Sequence, residues 1–473
     1  MGDELTTCLV SGKFKVLHIG HLRLFNTASS LADKLIVAVD DSDISSEELD
    51  WRINLIKNIE IISEVITYSG DIKSLINKIR PNFIVKGAEF SRLPNIEEDE
   101  LAKYGGKLVF SSGSYFYTDL NTRNSSKDSI YHDYNYLNRR NLNKNKIIEK
   151  INDYSRLNIC VIGDLIVDEF IECKPVGMSQ ESPSIVVTPI RTNRFVGGAG
   201  VLAKHCEKLG SKTTFIGFVG TDEPGNWALE ELKESNLELF VSTDSNRNST
   251  VKTRYMSGRQ VMFRLNRFNN EFIGPEIEQN IIKFLKNNCE KYDLLIFSDF
   301  SFGLLSPYLV SKIIEICKKY KVKMAADSQS SSQLGDLSKY IGVDLVTPTE
   351  KEARIEMKDE TSGLVVLAEN LRNKLACKNV ILKLGADGIL IHGVNEIQNT
   401  KIETDQINAL NINPQSISGA GDSLMAGAAL SLASGANIYE SAYIGSVVAA
   451  LHVSKDGNLP VEKSKLVELI ELI

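Results

Sequence analysis

Ile417-Ser418-Gly419-Ala420-Gly421-Asp422-Ser423, continued by Leu424-Met425-Ala426-Gly427-Ala428-Ala429, is the stretch from which the chain can be read. Gly419, Ala420 and Gly421 lack bulky side chains and precede a helix-compatible run. Consecutive backbone N–H groups can therefore turn toward one point at a helix N-terminus, where the helix dipole also favours negative charge. These three residues are the candidate anion hole. Asp422, directly after them, is placed to take a proton from a hydroxyl attacking phosphorus held there. The stretch reads as a phosphoryl-transfer site. A helix-start turn merely capped by Asp422 shares the local pattern, so its companions elsewhere in the chain decide.

Working outward, apolar strand-like runs at 294–297, 323–327, 344–347 and 379–384 alternate with helical patterns. Such alternation predicts a doubly wound α/β domain with a mostly parallel sheet. Another buried strand, 159–163, ends in Asp164 and is followed by Asp168. An ionised carboxylate accepts from two hydroxyls at once, which suits vicinal sugar hydroxyls, although either aspartate alone would serve equally as a loop or cap residue. The cluster Gly197-Gly198-Ala199-Gly200 lets the backbone approach a ligand closely. Residues 249–265 read as a hairpin turning at Ser257-Gly258. With the strand at 184–187 they predict a β lid that closes over a sugar and excludes water.

Residues 157–465 resemble the ribokinase-like (PfkB-type) sugar kinases through Gly197-Gly198 and Gly419-Ala420-Gly421-Asp422. The resemblance implies Asp422 as catalytic base, Glu352 as the glutamate that organises Mg²⁺, and Lys383, Gly385 and Gly388 in the strand and turn lining ATP. Within that family, Gly163-Asp164…Asp168, 180–186, Thr250-Val251-Lys252-Thr253-Arg254 and Arg264 are similar to the bifunctional heptose 7-phosphate kinase/heptose 1-phosphate adenylyltransferases. That likeness implies a sugar or sugar-phosphate site at Asp164, Asp168, Gly197, Gly198, Lys252 and Arg264, and a homodimer formed through the lid. The chain departs from the family at Thr349 (Asn in N-x-x-E), at Ser416 (an aspartate that helps hold a monovalent cation), at Gln329 (Lys in D-P-K) and in 299–303 (D-Y-G-K-G). The last two departures remove cations from the region where a phosphorylated sugar would sit.

At the other end of the chain, 7–11 reads as a strand, Gly12 to His21 turns into a helix, and 35–39 is a second strand. This is a parallel βαβ unit with its ligand at the carboxyl ends of the strands. His18 and His21 share one face of the helix start and can donate to phosphate. The segment 5–120 resembles the cytidylyltransferase-like nucleotidyltransferases, whose GxFDxxHxGH signature matches at Gly12, Phe14, His18 and His21. Arg52 and the strand containing Lys86 match later motifs. The likeness implies that His18, His21 and Lys86 stabilise charge on the α-phosphate of ATP or CTP. The signature aspartate is Lys15 here, and the closing S-T-T motif has no clean match near 112–119.

Between these segments, 121–146 holds seven asparagines and little aliphatic periodicity, which predicts a polar linker over 121–156. The expected organisation is a nucleotidyltransferase domain (1–120), this linker, and a kinase domain (157–473). A net charge of −7 argues against general nucleic-acid binding. Seven scattered cysteines without a C-x-x-C pair, and no apolar run approaching ~18 residues, predict a reduced, cytoplasmic protein that does not enter membranes. Two consecutive steps on one metabolite would suit the fusion. The alternatives are a sugar kinase with a non-catalytic N-terminal domain, and a non-catalytic sugar-phosphate or nucleotide sensor.

Overall fold

The computed structural model describes residues 6–14, 17, 19–42, 46–87, 95–111, 130–179, 181–182, 184–258, 260–329, 335–394, 402–455 and 457–473. His18, Lys15 and the region 112–119 lie outside them. The chain divides into two compact units, Met1–Ser126 and Lys127–Ile473.

The first unit is built on five parallel strands: β1 (Thr7–Gly12), β2 (Lys34–Asp40), β3 (Glu64–Tyr68), β4 (Phe83–Gly87) and β5 (Lys107–Ser111), in the order β3-β2-β1-β4-β5. Cys8 and Val10 face one hydrophobic cluster and Leu9 the other, as expected of a strand covered on both sides. The order reverses at β1, so the crevice beyond its carboxyl end is the topological switch point.

The second unit has a nine-stranded sheet made of β6 (Asn158–Gly163), β9 (Lys212–Gly220), β10 (Glu238–Asp244), β13 (Leu294–Asp299), β14 (Lys323–Ser328), β15 (Leu345–Val346), β16 (Asn379–Lys383), β17 (Ile389–Val394) and β18 (Ile402–Ile407). Its order is β10-β9-β6-β13-β14-β15-β16-β17-β18, parallel as far as β16 and antiparallel beyond. A separate four-stranded sheet, β12-β11-β7-β8, is formed by β7 (Leu165–Met178), β8 (Ile185–Gly198), β11 (Thr250–Ser257) and β12 (Gln260–Arg267). The expected α/β architecture with a β lid is therefore present, including the hairpin through Gly258, whose φ is +56°.

The small residues after Asp422 have a packing reason. Helix Ala420–Ala433 lies against helix Ile438–Val453 so closely that a Cβ on Gly427 would come within 3.0 Å of Gly445 Cα.

The expected linker is largely not a linker. Ile130 bridges to Asn411, and helices Tyr134–Arg140 and Lys144–Asn152 pack on the second unit. Tyr136, Ile147, Ile151 and Tyr154 are fully or almost fully buried in its core. The Tyr136 hydroxyl donates to Tyr439 O at 2.9 Å, and the Tyr154 and Ser431 hydroxyls lie 2.5 Å apart. Arg139 and Arg140, which composition alone assigns to a solvated connector, pair with Asp405 and Glu403 of β18. Asparagine-rich composition misleads here because two of the asparagines cap helices, Asn141 and Asn143, and Asn141 takes the left-handed conformation that asparagine tolerates.

Candidate active sites

Gly419 caps the helix Ala420–Ala433 with φ +79°, and any Cβ there would strike Asn458 Oδ1 at 2.2 Å. The first backbone donor to find an acceptor down the helix is Ser423 N–H, to Gly419 O at 3.0 Å, while Ala420 N–H is taken by Ile417 O at 3.3 Å. The N–H groups of Gly421 and Asp422 are thus left as the orphan donors of this helix start. Gly421 is also narrow for a reason: a Cβ there would lie 3.2 Å from Lys383 Nζ.

Asp422 is buried in this first turn. Burial and the nearby Asp327 push its pKa up to about 8 against the pull of Lys383; Asp168 adds to the rise and Lys252 opposes it. Lys383, at the end of β16, binds both oxygens of the fully buried Asp327 at 2.7 and 2.9 Å. Burial pulls the ammonium's pKa down, but Asp327, Glu352 and Asp422 outweigh it and the net shift is upward. Gln329 joins the two carboxylates, donating to Asp422 Oδ1 at 3.0 Å and reaching Asp327 Oδ2 at 3.3 Å.

Glu352 sits beside this cluster within a capping box. Its carboxylate accepts from Thr349 N–H at 2.7 Å, and the Thr349 hydroxyl accepts from Glu352 N–H at 3.2 Å. The threonine in place of the family's asparagine is thereby explained, since both are good N-caps. Among the described residues no group of three or more His, Cys, Asp or Glu could hold a metal ion. Two carboxylates near one lysine fit Mg²⁺ that arrives on nucleotide phosphates rather than in a protein cage. The turn Gly385-Ala386-Asp387-Gly388 follows, with φ of +63° and +88° at its glycines. A cavity of about 1040 Å³ opens beside it, lined among others by Thr349, Lys383 and Gly385.

On the lid side, Asp168 Oδ1 accepts from Arg254 Nη1 at 2.7 Å, and Asn458 Nδ2 lies 3.5 Å from Oδ2. Gly197 is required for this placement, because a Cβ there would fall 2.1 Å from Asp168 Oδ2. Gly198, φ +59°, starts helix Ala199–Lys208 where a Cβ would meet Asp164 O at 2.4 Å. Lys252 lies over the rings of Phe300 and Phe302, 5.0 and 5.1 Å from their centroids, and burial lowers its pKa against the pull of Asp168.

Two expected sugar contacts are placed differently. Asp164 is buried with its oxygens taken by the backbone N–H groups of Phe300, Phe302 and Leu304, at 3.0, 3.1 and 3.2 Å. Burial and Asp299 raise its pKa to about 6, those N–H groups opposing the shift. Asp164 folds the loop after β13, and Asp168 alone of the pair stands among the site's side chains. Arg264 is exposed on β12, where it pairs in register with Arg254 rather than reaching Asp168.

The sequence brings in Arg254 only as part of the lid pattern and Gln329 only as a missing lysine near the sugar phosphate, and it does not point to Asn458 or His452. Arg254 carries a signal, lying two residues after Lys252 and hence on the same lid face. The others reach the site only through long-range folding.

In the first unit, Gly12 and Phe14 lie at the end of β1. The Phe14 ring meets His21 edge-on at 5.2 Å, and a Cβ on Gly12 would be 3.2 Å from that ring. Arg52 is buried; it donates to Lys13 O at 2.9 Å and pairs with Glu48. Lys86, at the end of neighbouring β4, is ion-paired with Glu97 at 2.7 Å. The structure thus brings Gly12, Phe14, His21 and Lys86 to the switch point.

Residues 156–463 match the pfkB family of carbohydrate kinases. The chain belongs to that family. Residues 9–105 match the cytidylyltransferase-like family. Among curated proteins, the chain is similar to the bifunctional protein HldE of Desulfatibacillum aliphaticivorans, 30% identical over 320 residues (66% of this chain, 63% of that protein). It is also similar to HldE of Campylobacter fetus subsp. fetus, 31% identical over 307 residues (64% of each). The chain spans under two thirds of the length of these relatives. Among solved structures, Escherichia coli phosphofructokinase-2 in complex with potassium aligns with a TM-score of 0.55 at 16% identity, covering 67% of this chain and 99% of that one. A Thermotoga maritima ribokinase aligns at 0.51 and 20% identity, covering 67% and 100%. At such identities the likeness shows the fold. Among the described residues no helix is long and apolar enough to cross a membrane.

Proposed function

We propose that the second unit of this pfkB-family protein transfers the γ-phosphoryl group of ATP to a hydroxyl of a sugar or sugar phosphate resembling heptose 7-phosphate, giving a sugar 1-phosphate. The first unit would then transfer a nucleotidyl group from ATP or CTP to that product. The observation that carries the kinase reading is the position of Asp422. It lies in the first turn of a helix with two orphan N–H donors, its pKa is raised to about 8, and it feels both the nucleotide-side pair Lys383–Asp327 and the lid-side residues Asp168 and Lys252. Asp168, with Arg254 behind it, would accept from sugar hydroxyls. Asp422 would take the proton of the attacking hydroxyl, and Gly421 and Asp422 N–H would hold the transferred phosphoryl oxygens. Mg²⁺, when bound, neutralises charge on the phosphates.

The lid carries apolar side chains at its surface, among them Met178, Ile185, Ile190, Phe263 and Leu265. An apolar surface of this kind supports a homodimer formed through the lid.

A second reading, a kinase whose first unit does not catalyse, is favoured by the Lys86–Glu97 pair, which sets a carboxylate against the lysine expected to meet phosphate. A ³¹P NMR time course with Mg-ATP, CTP and heptose 7-phosphate, with a pool of other sugar phosphates in parallel, separates the readings. The two-step reading gives a sugar 1-phosphate signal, then a nucleotide-sugar diphosphate and pyrophosphate. Sugar phosphate without pyrophosphate leaves the kinase alone, and no change in either tube removes both.

A further inference from the structure

His452 ends helix Ile438–Val453 and is only 2% exposed. Its Nε2 lies 2.7 Å from Ser418 O and its Nδ1 lies 3.0 Å from Leu459 O. Carbonyl oxygens only accept. A neutral imidazole has one N–H, so in that form a nitrogen lone pair would face a carbonyl lone pair in a buried site; an imidazolium donates to both.

The two carbonyls belong to the loops that build the kinase site. Leu459 follows Asn458, which reaches Asp168. Ser418 precedes Gly419, and the His452 ring packs beneath that residue so tightly that a Cβ on Gly419 would lie 2.8 Å from Nε2. A trans peptide is planar with its C=O and N–H antiparallel. Holding Ser418 C=O toward the ring therefore turns Gly419 N–H away from it and fixes the plane from which the helix start grows.

We propose that His452 is an imidazolium built into the fold, a positioning residue whose two N–H groups lock the Ser418–Gly419 peptide in the orientation the phosphate-binding turn needs. The proposal rests on the kinase reading of this site. Two titratable groups face the ring. His205, on helix Ala199–Lys208, lies 5.0 Å away centroid to centroid; its Nδ1 accepts from Val461 N–H at 3.2 Å, so it is neutral with its proton on Nε2. Lys455, beyond the end of His452's own helix, is the other. The loops at 416–419 and 457–461 supply only carbonyls, hydroxyls and amides. Burial, the largest influence, and Lys455 bring the His452 pKa below its ordinary value, the two carbonyls opposing them. The geometry argues against that direction, because neither carbonyl can donate and a neutral ring would leave a nitrogen lone pair facing one of them.

The test is ¹⁵N NMR of the full chain labelled at histidine, joined to calorimetry with a non-hydrolysable ATP analogue. At about pH 7.5 a histidine of ordinary pKa near 6.5 is mostly neutral. The proposal expects one buried ring with both nitrogens in the protonated shift range at that pH. If every buried ring shows a lone-pair nitrogen there, the proposal is overturned. His452→Gln, which keeps one donor and loses the charge, is expected to bind the analogue about tenfold more weakly below the His452 pKa. The difference between the two proteins should shrink as pH rises through that pKa. Equal affinities at every pH overturn the proposal. If neither protein binds the analogue, the kinase reading fails and the NMR result still decides the charge on His452. It decides equally, from the unaltered chain, if the variant does not fold.

Discussion

Gln329 Nε2 donates to Asp422 Oδ1 at 3.0 Å and reaches Asp327 Oδ2 at 3.3 Å, so one carboxamide spans the two buried carboxylates of the proposed kinase site. Where the family that this chain resembles has a lysine, a neutral donor would stabilise the proposed base, Asp422, in its ionised form without adding charge. Gln329→Leu removes that donor, and the loss of one hydrogen bond to a charged group is expected to lower kcat about tenfold near neutral pH and move the pH–rate profile to higher pH. Gln329→Lys adds a cation and is expected to move the profile to lower pH. Steady-state ADP release across a pH series reads both shifts.

The pKa of Asp422 gives the profile its direction. Burial together with Asp327 raises it to about 8, and a base works only when ionised. For the free enzyme kcat/KM is therefore expected to climb as pH rises and to level off above about 8. A profile flat from pH 6 to 9 would show that Asp422 is not the titrating base.

Gly197 has no room for a side chain beside Asp168 Oδ2. Gly197→Ala is expected to displace that carboxylate and raise the KM for the sugar at least tenfold, with the KM for ATP changed less than threefold, because only hydrogen bonds to the sugar are lost. Substrate titrations at saturating co-substrate separate the two constants.

Much of this site was legible because its causes are local. Gly419 to Asp422 lie together in sequence, and the hairpin through Gly258 and the alternation of strands and helices follow from short-range periodicity. The pair Asp164 and Asp168 was only half legible. Both follow a strand, and which one stands free depends on the loop at 300–304, whose N–H groups take up Asp164. Asn458 and His452 were hidden because their partners are set by tertiary folding: Asn458 meets Asp168 across 290 positions. Gln329 showed only as a missing lysine, its bonds to Asp327 and Asp422 being supplied by the fold. The segment 130–156 was misread for the same reason, since Tyr136 and Tyr154 find their buried partners near the C-terminus.

That segment gives a stability prediction. Tyr154 is fully buried and shares a hydrogen bond with Ser431. Tyr154→Ala should destabilise the protein by about 3–5 kcal/mol, the range for removing a large aromatic side chain from a core. Tyr154→Phe should cost only about 1 kcal/mol, the value of the hydrogen bond. Denaturant unfolding of the full chain measures both; equal, small losses would mean that the segment is not part of the folded core.

Asp422→Asn, assayed for ATP binding and phosphoryl transfer on the same preparation, decides whether Asp422 is the base. Losing a general base lowers turnover by about a hundredfold to ten-thousandfold, while the N–H donors of the helix start and the Lys383 side chain remain in place for the nucleotide. That loss is expected with ATP affinity changed only a few-fold. Turnover within tenfold of the unaltered protein would contradict the assignment of Asp422 as the base.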